Sequence, residues 1–78
     1  PGVAMILAPC GSVHTFFMHF PIDVIFVGRD GIIVKICQCL KPWRTAFAWG
    51  AFAAIEFSAG VAAREDVKRG DSLVVQPR

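Results

Sequence analysis

The sequence predicts a mainly β domain with one short helix near the C-terminus. Its apolar runs are short, rich in Val, Ile and Phe, and separated by turns that contain Gly or Pro, which is the pattern of successive strands. The best helix formers cluster in residues 60–66, with Ser58 as the predicted cap. The 78 residues are enough for a single domain, residues 1–78.

Two strands and a loop are predicted in the first part of the chain. Residues 3–8 are apolar on both faces, as in a buried strand, residues 9–12 form a turn, and residues 13–20 form the second strand. Residues 1–22 contain no Asp, Glu, Lys or Arg. Pro, Gly, Ser and His nevertheless interrupt them, whereas a membrane-spanning helix needs about 20 predominantly apolar residues. No membrane span is therefore predicted.

The middle of the chain is predicted to form a hairpin. Pro21 marks a bend, and residues 22–27 have the β-branched and aromatic composition of a strand. Residues 28–31, Gly-Arg-Asp-Gly, are the predicted turn, and residues 32–39 the return strand. Residues 40–48 are predicted to be a loop.

Two more strands and the helix are predicted in the C-terminal part. Residues 52–57 are assigned to a strand, although the Ala-rich residues 51–55 also suit a helix, because glycines lie on both sides of the segment. The helix over residues 60–66 follows. A tight turn then leads to a final strand over residues 72–76.

Composition indicates a folded, aromatic-rich domain. Hydrophobic residues make up 55% of the chain and charged residues 18%, with seven Phe and two Trp, which is far from the composition of disordered segments. The net charge is only +2, and the basic residues are scattered along the chain. Because no basic stripe is interleaved with aromatic residues, no nucleic-acid partner is expected.

Cys10, Cys37 and Cys39 are an odd number of cysteines without the spacing of a disulfide framework. Free thiols, a reducing compartment and a cytoplasmic location are predicted, since no signal peptide opens the chain. The cysteines and a histidine together offer four zinc ligands, but the Cys-x-x-Cys pairs of structural zinc sites are missing. Neither a metal nor another cofactor is expected.

Asp23 is the leading candidate for a special role, because an ionised carboxylate among apolar strand residues is costly to bury. Two interpretations stand. The favoured one is structural: Asp23 accepts backbone N–H bonds from a loop and holds the bend at Pro21. The other is a general base or ligand anchor, with His14 as its proton-transfer partner. His14 shares a predicted strand face with Met18, whereas His19 falls on the opposite face, at the surface.

The aromatic loop and Glu56 complete the set of candidates. Trp43 and Trp49 are expected to cover one end of the core, and the alternative is a lip that binds a ligand or a partner. Glu56 is predicted to form a structural ion pair with Arg44 or Lys35.

Several ordered blocks give the chain a resemblance to the bacterial and archaeal family known as domain of unknown function 192. These blocks are residues 14–18, 21–26, 29–31, 41–44, 55–62 and 68–73. The resemblance covers about residues 8–76 and implies a compact β-sandwich or jelly-roll-like barrel with one short helix. It implies no accepted catalytic residues. Family members usually carry a further N-terminal strand region, so the strand at residues 3–8 is expected to lack a neighbour.

These observations favour an accessory module that binds a small molecule or a protein partner. Its site is predicted where residues 14–23 meet the loop at residues 42–44. The candidate ligand-binding residues are His14, Met18, Asp23, Trp43, Arg44 and Glu56. The alternatives are a small hydrolase that uses Asp23 and His14, and an interaction domain that offers its aromatic loop to a partner. A homodimer through the first strand or the Trp43/Trp49 surface is also expected.

Overall fold

The computed structural model of the chain describes residues 3–15 and 19–73. Within these ranges six strands and one helix follow one another. They are β1 (Val3–Leu7), β2 (Ser12–His14), β3 (Ile22–Val27), β4 (Ile33–Leu40), β5 (Thr45–Phe47), β6 (Ala53–Ser58) and α1 (Val61–Arg64).

The strands form two antiparallel sheets. Four strands make the larger sheet in the order β1-β6-β3-β4, and β2 pairs with β5 in a small second sheet. The two sheets are not closed into a barrel, so the predicted sandwich-like fold with one short helix near the C-terminus is confirmed and the barrel alternative is not.

Strand β3 is the centre of the molecule, because all six of its residues are buried. Val24 and Phe26 pack on one face of the larger sheet, against Val13 and Ala46 of the small sheet. Ile25 lies on the other face, in a second cluster with residues from the start of β4 and β6. Each such buried side chain contributes roughly 1.5–3 kcal/mol relative to full exposure, so β3 supplies both halves of the core.

The hairpin and the strand assignments around it are confirmed. Strand β3 has the predicted bounds, β4 begins and ends one residue later than predicted, and the turn between them contains Gly31 with a φ of 81°. Strand β6 is also a strand and not a helix. Its pairing with both β1 and β3 decides the ambiguity, because an Ala-rich segment takes the conformation that its neighbours stabilise.

Two expectations about strands were wrong. The second strand ends at His14, well short of residue 20, and residues 19–20 lie in a bend. The predicted loop at residues 40–48 contains β5, which pairs with β2 through Val13 and Ala46. A three-residue strand carries too little periodicity to be seen in a sequence. The proposed last strand amounts, within the described part, to a bridge between Ile32 and Ser72, and residues 74–76 lie outside that part.

The helix is shorter than predicted, and Ser58 is not its cap. It covers Val61–Arg64, and Gly60 occupies the N-cap position with a φ of 95°, without a capping side chain of its own. A positive φ of this size is readily adopted by glycine and rarely by other residues. The N–H groups at the start of the helix are instead satisfied from β3.

Asp23 provides that cap. Its side chain is fully buried on the helix-side face of β3. Oδ2 accepts the N–H groups of Gly60 at 3.1 Å and Ala62 at 2.8 Å, and Oδ1 accepts the N–H of Cys39 at 2.9 Å. The prediction that Asp23 accepts backbone N–H groups is thus confirmed. The donors belong to the end of β4 and the start of α1, so the carboxylate joins these two elements to β3, and its role in holding the bend at Pro21 stays a prediction.

We expect Asp23→Ala to lower the free energy of unfolding by roughly 2–4 kcal/mol, because three N–H donors lose their acceptor. Asp23→Asn keeps one carbonyl oxygen, so its loss should be smaller. Asp30→Ala is the matched control, since Asp30 accepts a single N–H, that of Ile32, in an exposed turn, and its loss should stay below about 1 kcal/mol. Urea denaturation measures all three. Equal losses for Asp23→Ala and Asp30→Ala would contradict this role.

Candidate functional site

One end of the sandwich contains three of the six predicted site residues, Trp43, Arg44 and Glu56. At this end β3 begins, β4 ends and β6 ends, because Ile22 is paired with Leu40 on one side and with Ser58 on the other. We call this region the Glu56 end. It comprises Thr15, residues 41–44 and Glu56.

Thr15 holds the turn at residues 41–44 in place. Its buried hydroxyl donates toward the carbonyl oxygens of Lys41 at 2.7 Å and Arg44 at 3.0 Å, and it accepts the Arg44 N–H at 2.7 Å. The Thr15 backbone also donates to Arg44 O and accepts from Trp43 N. Because these bonds engage both the hydroxyl and the main chain, the turn is attached to the end of β2 at several points.

Trp43 and Arg44 are displayed outward by this turn. The side chain of Trp43 is 55% exposed, Trp49 is 90% exposed, and Arg44 is also exposed. The expectation that Trp43 and Trp49 cover the core was therefore wrong, because Val13 and Ala46 of the small sheet already fill that place. The backbone of Trp43 has a φ of 62°, an unfavourable conformation for a bulky residue, which the bonds to Thr15 hold.

His14 and Asp23 are not brought together. Val13 faces the core, so its neighbour His14 points to the outer side of the small sheet, where its Nδ1 lies 3.2 Å from Thr45 Oγ1. Asp23 lies on the helix-side face of the larger sheet, and its oxygens accept three backbone N–H groups. The proposed acid–base pair therefore spans the whole sandwich. His19 is exposed, as predicted, and Met18 lies outside the described residues.

Glu56 faces the interior between the two sheets. It lies directly opposite Val24 of β3 and Met5 of β1, so it shares the core face of Val24. Only 8% of the residue is exposed. Asp23, next to Val24 in β3, has the opposite orientation. Glu56 and Asp23 therefore lie on different faces of one sheet and do not form a carboxylate pair.

The Glu56 carboxylate forms neither a hydrogen bond nor an ion pair with residues 3–15 or 19–73. The predicted pairing with Lys35 or Arg44 was wrong, because the Lys35 ammonium instead donates to Phe47 O at 2.8 Å. No fully buried side-chain oxygen in the described part lacks a partner, so the unpartnered oxygens of Glu56 retain some exposure to solvent. Burial raises the pKa of this carboxyl above its ordinary value.

The cysteines do not form a cluster of ligands. All three are free, and the Cys10 thiol donates to Ser12 O at 2.8 Å. Cys37 packs toward the core whereas Cys39 is exposed, because a β-bulge between Cys37 and Leu40 breaks the strand alternation. Across residues 3–15 and 19–73, no three His, Cys, Asp or Glu side chains are grouped as metal ligands.

The chain matches the DUF192 family, described as "Uncharacterized ACR", over residues 1–75. It belongs to this family. A solved structure agrees: the crystal structure at 1.22 Å of a protein of unknown function from Novosphingobium aromaticivorans superposes with a TM-score of 0.77 at 31% sequence identity. The match covers 87% of this chain and 54% of the solved chain, so this chain spans about half the length of that protein.

No curated protein matched the chain. In the described part of this DUF192 member, α1 is far too short to cross a bilayer, and no helix combines the necessary length and apolarity.

Sequence reasoning missed Thr15. Its hydroxyl partners follow it by 26 and 29 residues, and nothing local in the chain marks such contacts. The available signal was a small hydroxyl residue at an inward strand position, since a buried hydroxyl is nearly always hydrogen-bonded.

The folded state holds the Glu56 proton more tightly than the unfolded state, because burial raises the pKa. The resulting stabilisation is complete below the unfolded-state pKa and is lost as pH rises through the folded-state pKa. We expect Glu56→Gln to remove this pH dependence and to be more stable than the wild type at neutral pH. Chemical denaturation across pH measures the effect. Glu65→Gln, at an exposed position, should keep the wild-type curve, and parallel curves for Glu56→Gln and the wild type would refute the assignment.

We also expect the three thiols to be reduced and free of zinc. Native mass spectrometry should give the mass of the unmodified chain. One zinc ion per chain, lost in Cys37→Ser, is the result that would overturn this expectation.

Proposed function

We propose that the domain is a binding module, and that its site is the Glu56 end of the sandwich. The observation that carries this proposal is Glu56: a carboxylate enclosed by the core, without a partner among the described residues, whose oxygens still reach solvent. An ionised group in this position is costly unless something pairs with it. A ligand that pairs with Glu56 therefore relieves the unfavourable free energy of the unpaired carboxylate, and this relief favours binding.

Binding is preferred to hydrolysis because the two groups that acid–base chemistry would use are separated. The carboxylate oxygens of Asp23 accept hydrogen bonds from backbone N–H groups, and His14 lies on the outer side of the small sheet. Neither arrangement supports proton transfer between them, which requires hydrogen-bond reach or a single bridging water.

The chemistry of the Glu56 end favours a small ligand with an ammonium group and an apolar part. The ammonium would pair with Glu56, with an ion pair strengthened by the low local dielectric. Trp43, more than half exposed on its docked turn, offers an indole face to a cation or to an alkyl chain. Arg44 lies exposed at the same end of the sandwich, and its guanidinium group would favour ligands that also carry a hydrogen-bond acceptor.

The test uses n-butylammonium as the probe and butyrate as the matched anion, each titrated into the ¹⁵N-labelled protein. We expect butylammonium to shift the backbone amide signals of Val24, Glu56 and Thr15 in a saturable way, and butyrate to leave them unchanged. The affinity should increase as pH rises through the raised pKa of Glu56, because only the carboxylate pairs with an ammonium.

Glu56→Gln should abolish these shifts, whereas Glu65→Gln should retain them. Equal responses to the two probes, or an unchanged response in Glu56→Gln, would show that Glu56 does not recognise the ligand.

A further inference from the structure

A cleft lies at the end of the sandwich remote from the Glu56 end. Its volume is about 610 Å³. The lining includes Val34, Lys35, Ile36, Phe47, Trp49 and Arg69. We call it the β4–β5 cleft. Lys35 is paired with Phe26, near the end of β3 that is remote from Ile22, so this cleft is separate from the Glu56 end.

The aromatic side of the cleft is exposed, and its two rings contact each other. Phe47 is 54% exposed and Trp49 is 90% exposed. Their rings meet edge to face with centroids 6.2 Å apart. The Lys35 ammonium lies 5.3 Å from the Phe47 ring centroid and donates to the Phe47 carbonyl oxygen. Phe47 is thus held between an indole and a cation, which reduces the entropy that a ligand must remove on binding.

The charged residues that line the cleft are all positive. Lys35 and Arg69 both line it, and no carboxylate is among its lining residues. Lys35 uses one donor on Phe47 O, so its other donors remain for a ligand. An apolar floor between two cations is complementary to a ligand with carboxylates on either side of an apolar group.

The cleft also borders a sheet edge. Strand β4 is the last strand of the larger sheet. In the part of the chain that the structure describes, only the beginning of β4 has a neighbour on its outer side: Ile33 donates to Asp71 O and accepts from Gly70 N. Beyond Ile33 the outer main chain of β4 has no strand beside it within the same residues. Such an edge is a template for an additional strand.

From these three features we propose that the β4–β5 cleft binds an extended acidic segment of a partner protein. The segment pairs its main chain with the outer edge of β4. It places an apolar side chain on Phe47 and Trp49, and directs its carboxylates toward Lys35 and Arg69. Strand addition supplies affinity through main-chain bonds, and the pocket and charges supply specificity.

A single-stranded nucleic acid also favours aromatic residues and cations, but it requires a basic groove that follows the backbone. Two cations in this cleft and a net charge of +2 favour the acidic peptide. A second copy of the chain is the other rival, and both rivals are outcomes of the test.

The probe is a blocked hexapeptide in which glutamate alternates with valine and phenylalanine. Its control is the same peptide with lysine in place of glutamate. Binding is followed by tryptophan fluorescence and by ¹⁵N amide shifts. We expect the acidic peptide to bind at least about tenfold more tightly than the basic one, to weaken as salt is added, and to shift the amide signals of β4.

Trp49→Ala and Arg69→Glu should each weaken binding of the acidic peptide by about tenfold. Phe20→Ala and Arg64→Glu alter an exposed aromatic residue and an exposed arginine elsewhere, so they should bind like the wild type. Three results would each overturn the proposal: no binding of the acidic peptide at millimolar concentration, tighter binding of an octathymidylate probe, or self-association in light scattering that Trp49→Ala abolishes. Loss of ammonium binding at Glu56 would not affect it, because the two sites are separate.

Discussion

The buried carboxylate of Asp23 is the constraint on which the rest of the architecture depends. Strand β3 must be apolar on both faces to form two core layers, yet it carries one carboxyl group near its beginning. Burying that group is costly unless its oxygens accept hydrogen bonds. The backbone N–H groups of Cys39, Gly60 and Ala62 donate these bonds. The same bonds determine where β4 ends and where α1 begins. A four-residue helix has little intrinsic stability, so it depends on this cap and on its burial against the sheet.

The Asp23 bonds also distinguish the two faces of the larger sheet. On the helix-side face, the carboxylate of Asp23 accepts backbone N–H groups and has a structural role. Glu56 lies on the other face, between the sheets, and forms no bond with the described residues. A similar contrast distinguishes the two ends of the sandwich. Thr15 and the turn at residues 41–44 shape the Glu56 end, whereas Lys35 and Phe47 shape the β4–β5 cleft. The two proposed sites therefore lie at opposite ends of the sandwich.

Much of the fold could be predicted because its central strands are locally consistent. The β-branched composition of β3, the Gly-containing turn after it and the return strand β4 all favour the same hairpin. The candidate site was predicted less well. Glu56 and Arg44 were named, but the predicted ion pair does not form. The pairing of Asp23 with His14 assumed that proximity along the chain means proximity in space, whereas inward and outward orientations place them on opposite sides of the sandwich. Trp43 and Trp49 were expected to cover one end of the core because so small a domain has little other apolar surface to bury, yet both are exposed.

The sequence by itself determined the mainly β class, the hairpin, the family and the need for Asp23 to be satisfied. The class, the hairpin and the need of Asp23 follow from composition, from period-two alternation and from the cost of burying a charge, all of which act over short stretches of chain. The family follows instead from the resemblance of the ordered blocks between residues 14 and 73. Only the tertiary structure decided which donors satisfy Asp23, that β5 exists, that the tryptophans are exposed, and that Glu56 stands without a partner among the described residues. Each of these depends on residues that are distant in sequence but adjacent in space. Pairings of that kind leave no local periodicity in the chain.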